Sequence, residues 1–324
     1  MSALVVENLS VSFTTPDGDV SAVDALGFTV ERGTTLGIVG ESGSGKTQAM
    51  LALMGLLPTN GRATGSARLG GQELIGLDER ALSGVRGARV AMVFQDPMTS
   101  LNPYLRIRTQ MAEVLQRHRG LGRDDAVRQS IRMLDAVRIP EAANRIHDYP
   151  HTLSGGMRQR VMIAMALLCG PDVLIADEPT TALDVTVQAQ VLAVLREATR
   201  AADTATILIS HDLGVVAGQC DELMVMYAGR AVETGGIDAV FAAPRHPYTA
   251  GLLRSVPRLD RADEVRLATI AGEPADLQAL PAGCAYAPRC ERRIERCDAE
   301  RPALAAGVAC HVPLGSGTKG TEGA

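Results

Sequence analysis

Lysine is almost missing from this 324-residue sequence: among its 32 Lys and Arg residues, only positions 46 and 319 are lysines. Such an arginine-rich composition is typical of the coding bias of a GC-rich bacterium. A lysine that persists against that bias indicates a position that needs an ammonium group. Lysine carries a compact charge on a flexible stem, whereas arginine carries a wide planar fork. Lys46 is therefore the first candidate functional residue.

The sequence also lacks the long apolar runs and the positive charge that indicate two other classes of protein. No run approaches the roughly 18 apolar residues of a membrane span. The net charge is −5, which disfavours nucleic acid as a partner. The stretch 106–138 is locally basic. We interpret it as a solvated helical face, with an anionic partner as the alternative.

A secretory signal is the third missing feature. The first residues, MSALVVENLSVSF, contain neither a basic start nor a small-residue cleavage site. We therefore expect the chain to stay in the cytoplasm. In that reducing compartment the six cysteines are not expected to form disulfides.

The pattern of apolar residues predicts an α/β fold. Hydrophobic residues make up 46% of the chain and charged residues 21%, as in a globular protein. Residues 4–13 and 22–30 alternate as strands do, whereas TTLGIVG, VAMVFQ, VLIAD and TILIS are short apolar strands with helical segments between them. We expect a mostly parallel sheet covered on both faces. The N-terminal strands would add an antiparallel layer, and periodicity over 105–138 predicts a helical insert.

The segment GESGSGKT fits the pattern G-x-x-x-x-G-K-[ST], with a predicted strand before it and a predicted helix after it. In such a phosphate-binding loop (P-loop), glycines let backbone N–H groups turn toward phosphate oxygens, and the helix adds the positive end of its dipole. Lys46 is expected to reach the β- and γ-phosphates, and the Thr47 hydroxyl to ligate Mg²⁺. The candidate ATP-binding residues here are Gly40, Glu41, Ser42, Gly43, Ser44, Gly45, Lys46 and Thr47.

Two acidic residues stand at the end of the apolar strand VLIAD. Asp177 ends that strand, where a carboxylate is costly unless it meets a cation. Mg²⁺ shared with Thr47 is the cation that we expect there. Glu178 follows directly and can orient or deprotonate an attacking water. An ordinary loop start is the alternative, and the upstream P-loop disfavours it.

The octet LSGGMRQR, residues 153–160, resembles the signature motif of the ABC ATPases, a family of P-loop NTPases. Other segments match motifs in that family's order: the Q-loop at Gln95, the D-loop at 182–184 (Ala-Leu-Asp) and the switch histidine at His211. Phe13 occupies the place of the aromatic residue that stacks on adenine, although a core residue in a strand is the alternative. The resemblance implies a RecA-like, mostly parallel sheet with an antiparallel β layer and an α-helical subdomain.

The resemblance also implies how the residues act. In ABC ATPases the P-loop of one subunit and the signature motif of another clamp one ATP, so a chain with one of each requires a partner ATPase. The implied catalytic residues are Glu178, His211 and Gln95. Other implied ligands of ATP or Mg²⁺ are Phe13, Gln95, Ser154, Gly155, Gly156, Asp177 and Asp184. A small-molecule kinase would not explain the signature octet.

Two further segments, FQDPMTSLNPYLRI (94–107) and HPYTAGLLRSVPRLD (246–260), resemble those of the ATP-binding subunits of oligopeptide and dipeptide importers. This implies a heterodimer with a second homologous ATPase, two permease subunits, an external peptide-binding protein and a peripheral position on the cytoplasmic face of the cell membrane. Nickel importers share the architecture and stay an alternative. A soluble ABC ATPase that acts on nucleic acid or ribosomes is a more remote one.

Four cysteines follow in a Pro-rich segment with little periodicity: Cys284, Cys290, Cys297 and Cys310. Structural zinc prefers tighter pairs of cysteines, whereas an iron–sulfur cluster tolerates this spacing. The family that the chain resembles is thought to carry a [4Fe–4S] cluster here. Zinc and unligated thiols stay open as alternatives. Cys169 and Cys220 lie in apolar helical settings and are predicted to be core residues.

The predicted organisation has three parts. An ATPase domain covers 1–255 and contains a helical subdomain at about 96–155. A small Cys-rich C-terminal extension covers 256–313. The Gly-rich end, 314–324, is predicted to be a disordered tail.

Overall fold

The computed structural model describes residues 2–95, 100–181, 183–255 and 270–315. Its strands are β1 Ser2–Thr15, β2 Gly18–Glu31, β3 Thr35–Val39, β4 Gly61–Leu69, β5 Gln72–Glu73, β6 Val90–Val93, β7 Val173–Asp177, β8 Ala205–Ile209, β9 Glu222–Tyr227 and β10 Arg230–Gly236. Its α-helices are α1 Lys46–Leu53, α2 Glu79–Val85, α3 Ile107–Arg119, α4 Arg123–Ala136, α5 Ala142–Arg145, α6 Gly155–Leu167, α7 Val185–Ala201, α8 Leu213–Gln219, α9 Ile237–Ala242, α10 Pro247–Arg254 and α11 Arg296–Ala299. D-loop residue Ala182 and the predicted tail beyond 315 lie outside the described residues.

Six strands form the central sheet, in the order β10-β9-β3-β8-β7-β6. The five strands from β9 to β6 are parallel, and β10 pairs antiparallel with β9 at one edge. Every residue of β3, β7 and β8 is buried, as expected for strands that are covered on both faces. The prediction of a mostly parallel sheet is confirmed.

A second, antiparallel sheet has the order β2-β1-β4-β5 and confirms the predicted antiparallel layer. Leu4 of β1, Ile38 of β3 and Met50 of α1 are buried in one hydrophobic cluster. Helix α1 therefore packs within the core that joins the two sheets. Strands β4 and β5 were not predicted from the sequence, because the β4 sequence GRATGSARL is rich in small and polar residues and lacks a clear apolar alternation.

Helices α3 and α4 form the insert that was predicted over 105–138. Ile107, Met111 and Leu115 recur every fourth residue of α3 and are buried, as an amphipathic helix requires. Gly120 ends α3 in the left-handed region, with φ +64°, where glycine has no steric penalty. Among the described residues, no helix is both long enough and apolar enough to cross a membrane.

The described part of the C-terminal extension, 270–313, docks on the hairpin of β9 and β10. Val232 and Thr234 of β10 make backbone hydrogen bonds to Ala309 (2.8 Å) and Gly307 (2.8 Å). Beside this contact, the rings of Tyr227, Tyr248 and Tyr286 lie with centroids 4.7–5.4 Å apart. Residues of the hairpin, of α10 and of the extension therefore share one aromatic cluster.

His246, at the start of α10, is a buried titratable group in this region, with 1% of its surface exposed. Its Nδ1 accepts a hydrogen bond from the Tyr248 backbone N–H at 3.0 Å and so caps the helix. Burial lowers the pKa of His246 from 6.5 to about 4. The imidazole is therefore neutral in the folded protein near neutral pH.

The stability of the protein should depend on pH through His246. Between pH 6.5 and 4 the unfolded chain binds a proton at this imidazole and the folded chain does not, so the free energy of unfolding falls as the pH falls, by up to about 3 kcal/mol. Asparagine can cap the helix without titrating. Urea unfolding at several pH values should show a smaller loss for His246→Asn than for the wild type. Equal slopes for both proteins would contradict this assignment.

Candidate nucleotide-binding and catalytic site

The P-loop connects the buried strand β3 to helix α1. Gly45 is the N-cap of α1 and lies in the left-handed region, with φ +94°. A Cβ at Gly45 would lie 2.3 Å from the carbonyl oxygen of Ala22, and one at Gly40 would lie 2.2 Å from that of Met226. The backbone of the loop therefore needs glycine at both positions, as the motif predicts.

Lys46 is the first residue of α1 and is 7% exposed. Its Nζ donates hydrogen bonds to the carbonyl oxygens of Gly40 (2.7 Å) and Glu41 (2.9 Å), and to the hydroxyl of Ser44 (3.3 Å). Burial lowers the pKa of Lys46, and the nearby acids Glu178, Asp177 and Glu41 oppose that effect. The ammonium group thus lies inside the loop, close to both acidic residues of the strand end.

Asp177, the last residue of β7, is 6% exposed. Burial raises the pKa of its carboxyl group, whereas a hydrogen bond from Thr47 and the charge of Lys46 lower it. Thr47 and Asp177 are therefore in direct contact. Mg²⁺ usually takes one or two protein ligands beside substrate phosphates and waters. A buried carboxylate beside a hydroxyl fits such an ion.

Glu178 lies at the centre of a hydrogen-bonded group whose members come from the segments after β6, β7 and β8. Its Oε2 accepts hydrogen bonds from Gln95 Nε2 (3.0 Å) and from the Thr181 hydroxyl (2.9 Å), and its Oε1 lies 3.1 Å from His211 Nδ1. Its backbone is left-handed, with φ +46°, which is uncommon outside glycine and concentrates at functional sites. Burial would raise the pKa of Glu178, but the hydrogen bonds from His211 and Thr181 lower it overall.

The signature motif and the D-loop lie against each other. Ser154 caps helix α6 by accepting a hydrogen bond from the Met157 N–H at 3.3 Å, and Asp184 caps α7 in the same way at 3.0 Å from Val187. A Cβ at Gly156 would lie 2.4 Å from a methyl group of Val187. A Cβ at Gly155 would lie 3.2 Å from the side chain of Leu183 in the D-loop, so the signature motif contacts both α7 and the D-loop.

Comparisons with known proteins agree with this geometry. A family model described as "ABC transporter" matches residues 23–181, and one described as "Oligopeptide/dipeptide transporter, C-terminal region" matches residues 232–297. The oligopeptide transport ATP-binding protein OppD of Salmonella typhimurium is 58% identical over 299 residues, which are 92% of this chain and 89% of that protein. The chain belongs to the family of ABC-transporter ATP-binding subunits.

Other relatives support the same family. The dipeptide transport ATP-binding protein DppD of Bacillus subtilis is 48% identical over 301 residues, 92% of this chain and 90% of that protein. The solved dimeric structure of the ATP-binding cassette MJ0796, bound to ADP and Pi, matches with a TM-score of 0.64 and 22% identity. The match covers 72% of this chain and 98% of the MJ0796 chain. It shows the likeness of the fold alone. As an ABC ATPase, this chain binds and hydrolyses ATP with Mg²⁺.

Phe13 lies on β1, opposite Gly61 of β4 and Val20 of β2. Its ring is partly buried against the core that joins the two sheets, and a Cβ at Gly61 would lie 2.8 Å from it. Two residues earlier on the same strand, Val11 pairs with Val23, whose side chain lies near Gly45 of the P-loop. Phe13 therefore has core contacts and also lies on the strand beside the nucleotide loop.

The four C-terminal cysteines lie close enough to influence one another, but they do not form a recognisable metal site. Burial raises the pKa of Cys284, and its three partner thiols raise it further. In the described residues, no group of three or more His, Cys, Asp or Glu side chains is arranged to hold a metal ion. The structure therefore gives no support to the predicted cluster. Cys169 and Cys220 are 0% and 6% exposed, which confirms them as core residues.

Two side chains that contact the P-loop, Tyr248 and Arg289, were not predicted from the sequence. The Tyr248 hydroxyl accepts a hydrogen bond from the Glu41 N–H at 2.9 Å. Arg289 binds the Glu41 carboxylate with two hydrogen bonds, at 2.7 and 3.0 Å. Tyr248 lies in the segment HPYTAGLLRSVPRLD, which resembles those of peptide importers, and Arg289 lies between Cys284 and Cys290 in the Cys-rich segment. Those segments gave no signal of what the side chains touch.

Proposed function

We propose that the chain is the ATP-hydrolysing subunit that powers import of oligopeptides or dipeptides through an ABC transporter in the cytoplasmic membrane. One observation carries the proposal. The relatives that are named for oligopeptide and dipeptide transport match over about nine-tenths of the chain, including the C-terminal region beyond the ATPase motifs. An ABC ATPase that acts on nucleic acid or ribosomes would be expected to match these relatives in the ATPase motifs and not in the C-terminal region.

In this proposal the P-loop binds the triphosphate and Lys46 contacts its β- and γ-phosphates. Thr47, Asp177 and Gln95 would hold Mg²⁺, which neutralises phosphate charge when it is bound with the nucleotide. The buried ammonium group and the contact between Thr47 and Asp177 support these roles. Phe13 would stack on adenine from β1.

Glu178 would act as the general base or orienting group for the attacking water. Its lowered pKa keeps the carboxylate ionised near neutral pH, in the form that accepts a proton. Its hydrogen bonds to Gln95 and His211 connect it to the two residues that would sense and hold the γ-phosphate. A change at the phosphate would therefore reach all three side chains.

A second, homologous ATPase would supply the other half of the nucleotide pocket. Ser154, at the N-terminus of the 13-residue helix α6, is exposed, and so is Val185 beside Asp184, with 83% of its surface accessible. In the proposed heterodimer, Ser154, Gly155, Gly156 and Asp184 would contact the nucleotide on the partner's P-loop. Two permease subunits would hold the pair at the cytoplasmic face of the inner membrane. An extracytoplasmic protein would deliver the peptide.

The transport role is tested by uptake in a strain that lacks this gene. The expected result is loss of uptake of labelled peptides, restored only by the intact gene, with Ni²⁺ uptake unchanged. ATPase activity should also rise when permeases and loaded binding protein are present. Selective loss of Ni²⁺ uptake would support a nickel importer instead. ATPase activity that responds to RNA and not to permeases would contradict the importer role.

Glu178→Gln should stop turnover while ATP binding persists. The amide keeps the shape of the carboxylate but cannot accept the proton, so hydrolysis should fall by at least about 100-fold. The ATP-bound pair of subunits should then accumulate, which size-exclusion chromatography with radiolabelled ATP would detect. Glu197→Gln, a change at an exposed acid that pairs with Arg138, is the matched control. A Glu178→Gln protein with normal turnover would remove Glu178 from the mechanism.

A [4Fe–4S] cluster on Cys284, Cys290, Cys297 and Cys310 stays part of the proposal. It rests on the family resemblance, since the arrangement of these thiols in the described residues does not support it. Protein purified without oxygen should contain about four iron and four acid-labile sulfide per chain, and Cys297→Ser should lose both while Cys169→Ala keeps them. Zinc alone, or no metal, would rule the cluster out.

A further inference from the structure

Glu41 of the P-loop is held at its backbone and at its side chain. Its N–H donates to the Tyr248 hydroxyl at 2.9 Å, and its carbonyl oxygen accepts from Lys46 Nζ at 2.9 Å. Its carboxylate pairs with both terminal nitrogens of Arg289, 248 residues later in the chain. Two of these three partners lie outside the P-loop, on α10 and on the C-terminal extension.

Contacts other than the one with Glu41 hold the Arg289 side chain in place. Its side chain is 5% exposed, and its Nε donates to the carbonyl oxygen of Ala271 at 2.9 Å. Its guanidinium lies 5.9 Å from the centre of the Tyr227 ring. A planar guanidinium that is already oriented loses little freedom when it binds a carboxylate with two parallel hydrogen bonds.

Tyr248 is fixed as well, since its side chain is fully buried in the aromatic cluster with Tyr227 and Tyr286. Its hydroxyl meets the backbone of the loop and not a side chain. Tyr248 can therefore set the position of the loop itself, whereas Arg289 sets the direction and the charge of one side chain.

The negative charge of Glu41 would affect how tightly the P-loop binds a nucleotide. A carboxylate in a loop that surrounds a triphosphate would repel the phosphate oxygens. Arg289 neutralises that carboxylate and holds it against the extension. These contacts also hold the loop from outside the P-loop, and a loop that is held in place loses less entropy when a ligand binds.

We propose that Arg289 and Tyr248 are positioning residues for ATP: they fix the P-loop through Glu41, so that nucleotide affinity depends on the docked C-terminal extension. This inference rests on the proposed role of the P-loop in binding ATP. It adds a function to the extension that does not require a metal.

The test measures the affinity of the full-length chain for a fluorescent ATP analogue, together with the melting temperature of each variant. Arg289→Ala should weaken binding about ten-fold, because it leaves an unneutralised anion beside the phosphates. Arg289→Lys should lose less, since it keeps the charge but not the paired geometry. Tyr248→Phe keeps the ring, removes only the hydroxyl and should weaken binding about three-fold. Arg293→Ala, which breaks an exposed ion pair inside the extension, should bind like the wild type.

A double variant separates positioning from mere support of the fold. Glu41→Gln in the Arg289→Ala background removes the unneutralised anion, so it should restore part of the lost affinity, whereas a structural role predicts a further loss. In steady-state hydrolysis by the assembled transporter, the single variants should raise the KM for ATP and leave kcat within about two-fold.

Lys46→Ala, measured in parallel, shows which proposal has failed: ATP binding by the P-loop, or the positioning role of Arg289 and Tyr248. If Lys46→Ala loses binding while Tyr248→Phe and Arg289→Lys bind like the wild type, the positioning role is wrong and the P-loop assignment stands. Normal binding by Lys46→Ala would overturn the assignment of the P-loop itself. If Arg289→Ala does not fold, Tyr248→Phe and Arg289→Lys decide the matter.

Discussion

The site depends on the interactions of one buried ammonium group at the carboxyl ends of the parallel strands. Lys46 lies among carbonyl oxygens of the P-loop and near the carboxylates of Asp177 and Glu178. Burial of such a charge is costly unless charged or polar partners surround it. The central sheet provides them because the carboxyl ends of parallel strands share one edge, where α/β proteins bind ligands.

The order of strands explains why residues far apart in the sequence meet at this edge. The P-loop follows β3, His211 follows β8, Glu178 follows β7 and Gln95 follows β6, and these strands are consecutive neighbours. The order along the sheet therefore converts separate motifs into one hydrogen-bonded group around Glu178. The signature motif is different, because its helix packs on α7 and its contacts are with the D-loop. The geometry of one chain thus suits a nucleotide pocket that two chains complete.

Much of the fold and of the candidate site could be predicted because the signals are local. The glycines of the P-loop, the apolar runs of β3, β7 and β8, and the helical spacing of apolar residues on α3 each lie within a dozen residues. Strands β4 and β5 were missed because their residues are small or polar, and the pairing of β4 with β1 and of β5 with β4 decides their structure. Local signals also could not show whether four spaced cysteines converge. The pair of Glu41 and Arg289 joins positions 248 residues apart, and no local pattern encodes such a contact.

The C-terminal extension contacts the nucleotide loop by two routes, which bears on how it could act. One route is the ion pair of Arg289. The other is the β9–β10 hairpin, which carries the extension on β10 and meets the P-loop where Gly229 donates a hydrogen bond to the Ser44 carbonyl at 3.1 Å. Because both routes end on the same loop, the extension and the P-loop cannot shift independently without loss of a partly buried, charge-assisted contact. A tether to the hairpin alone would hold the extension in place. The additional bidentate pair makes sense if the extension also has to hold the loop.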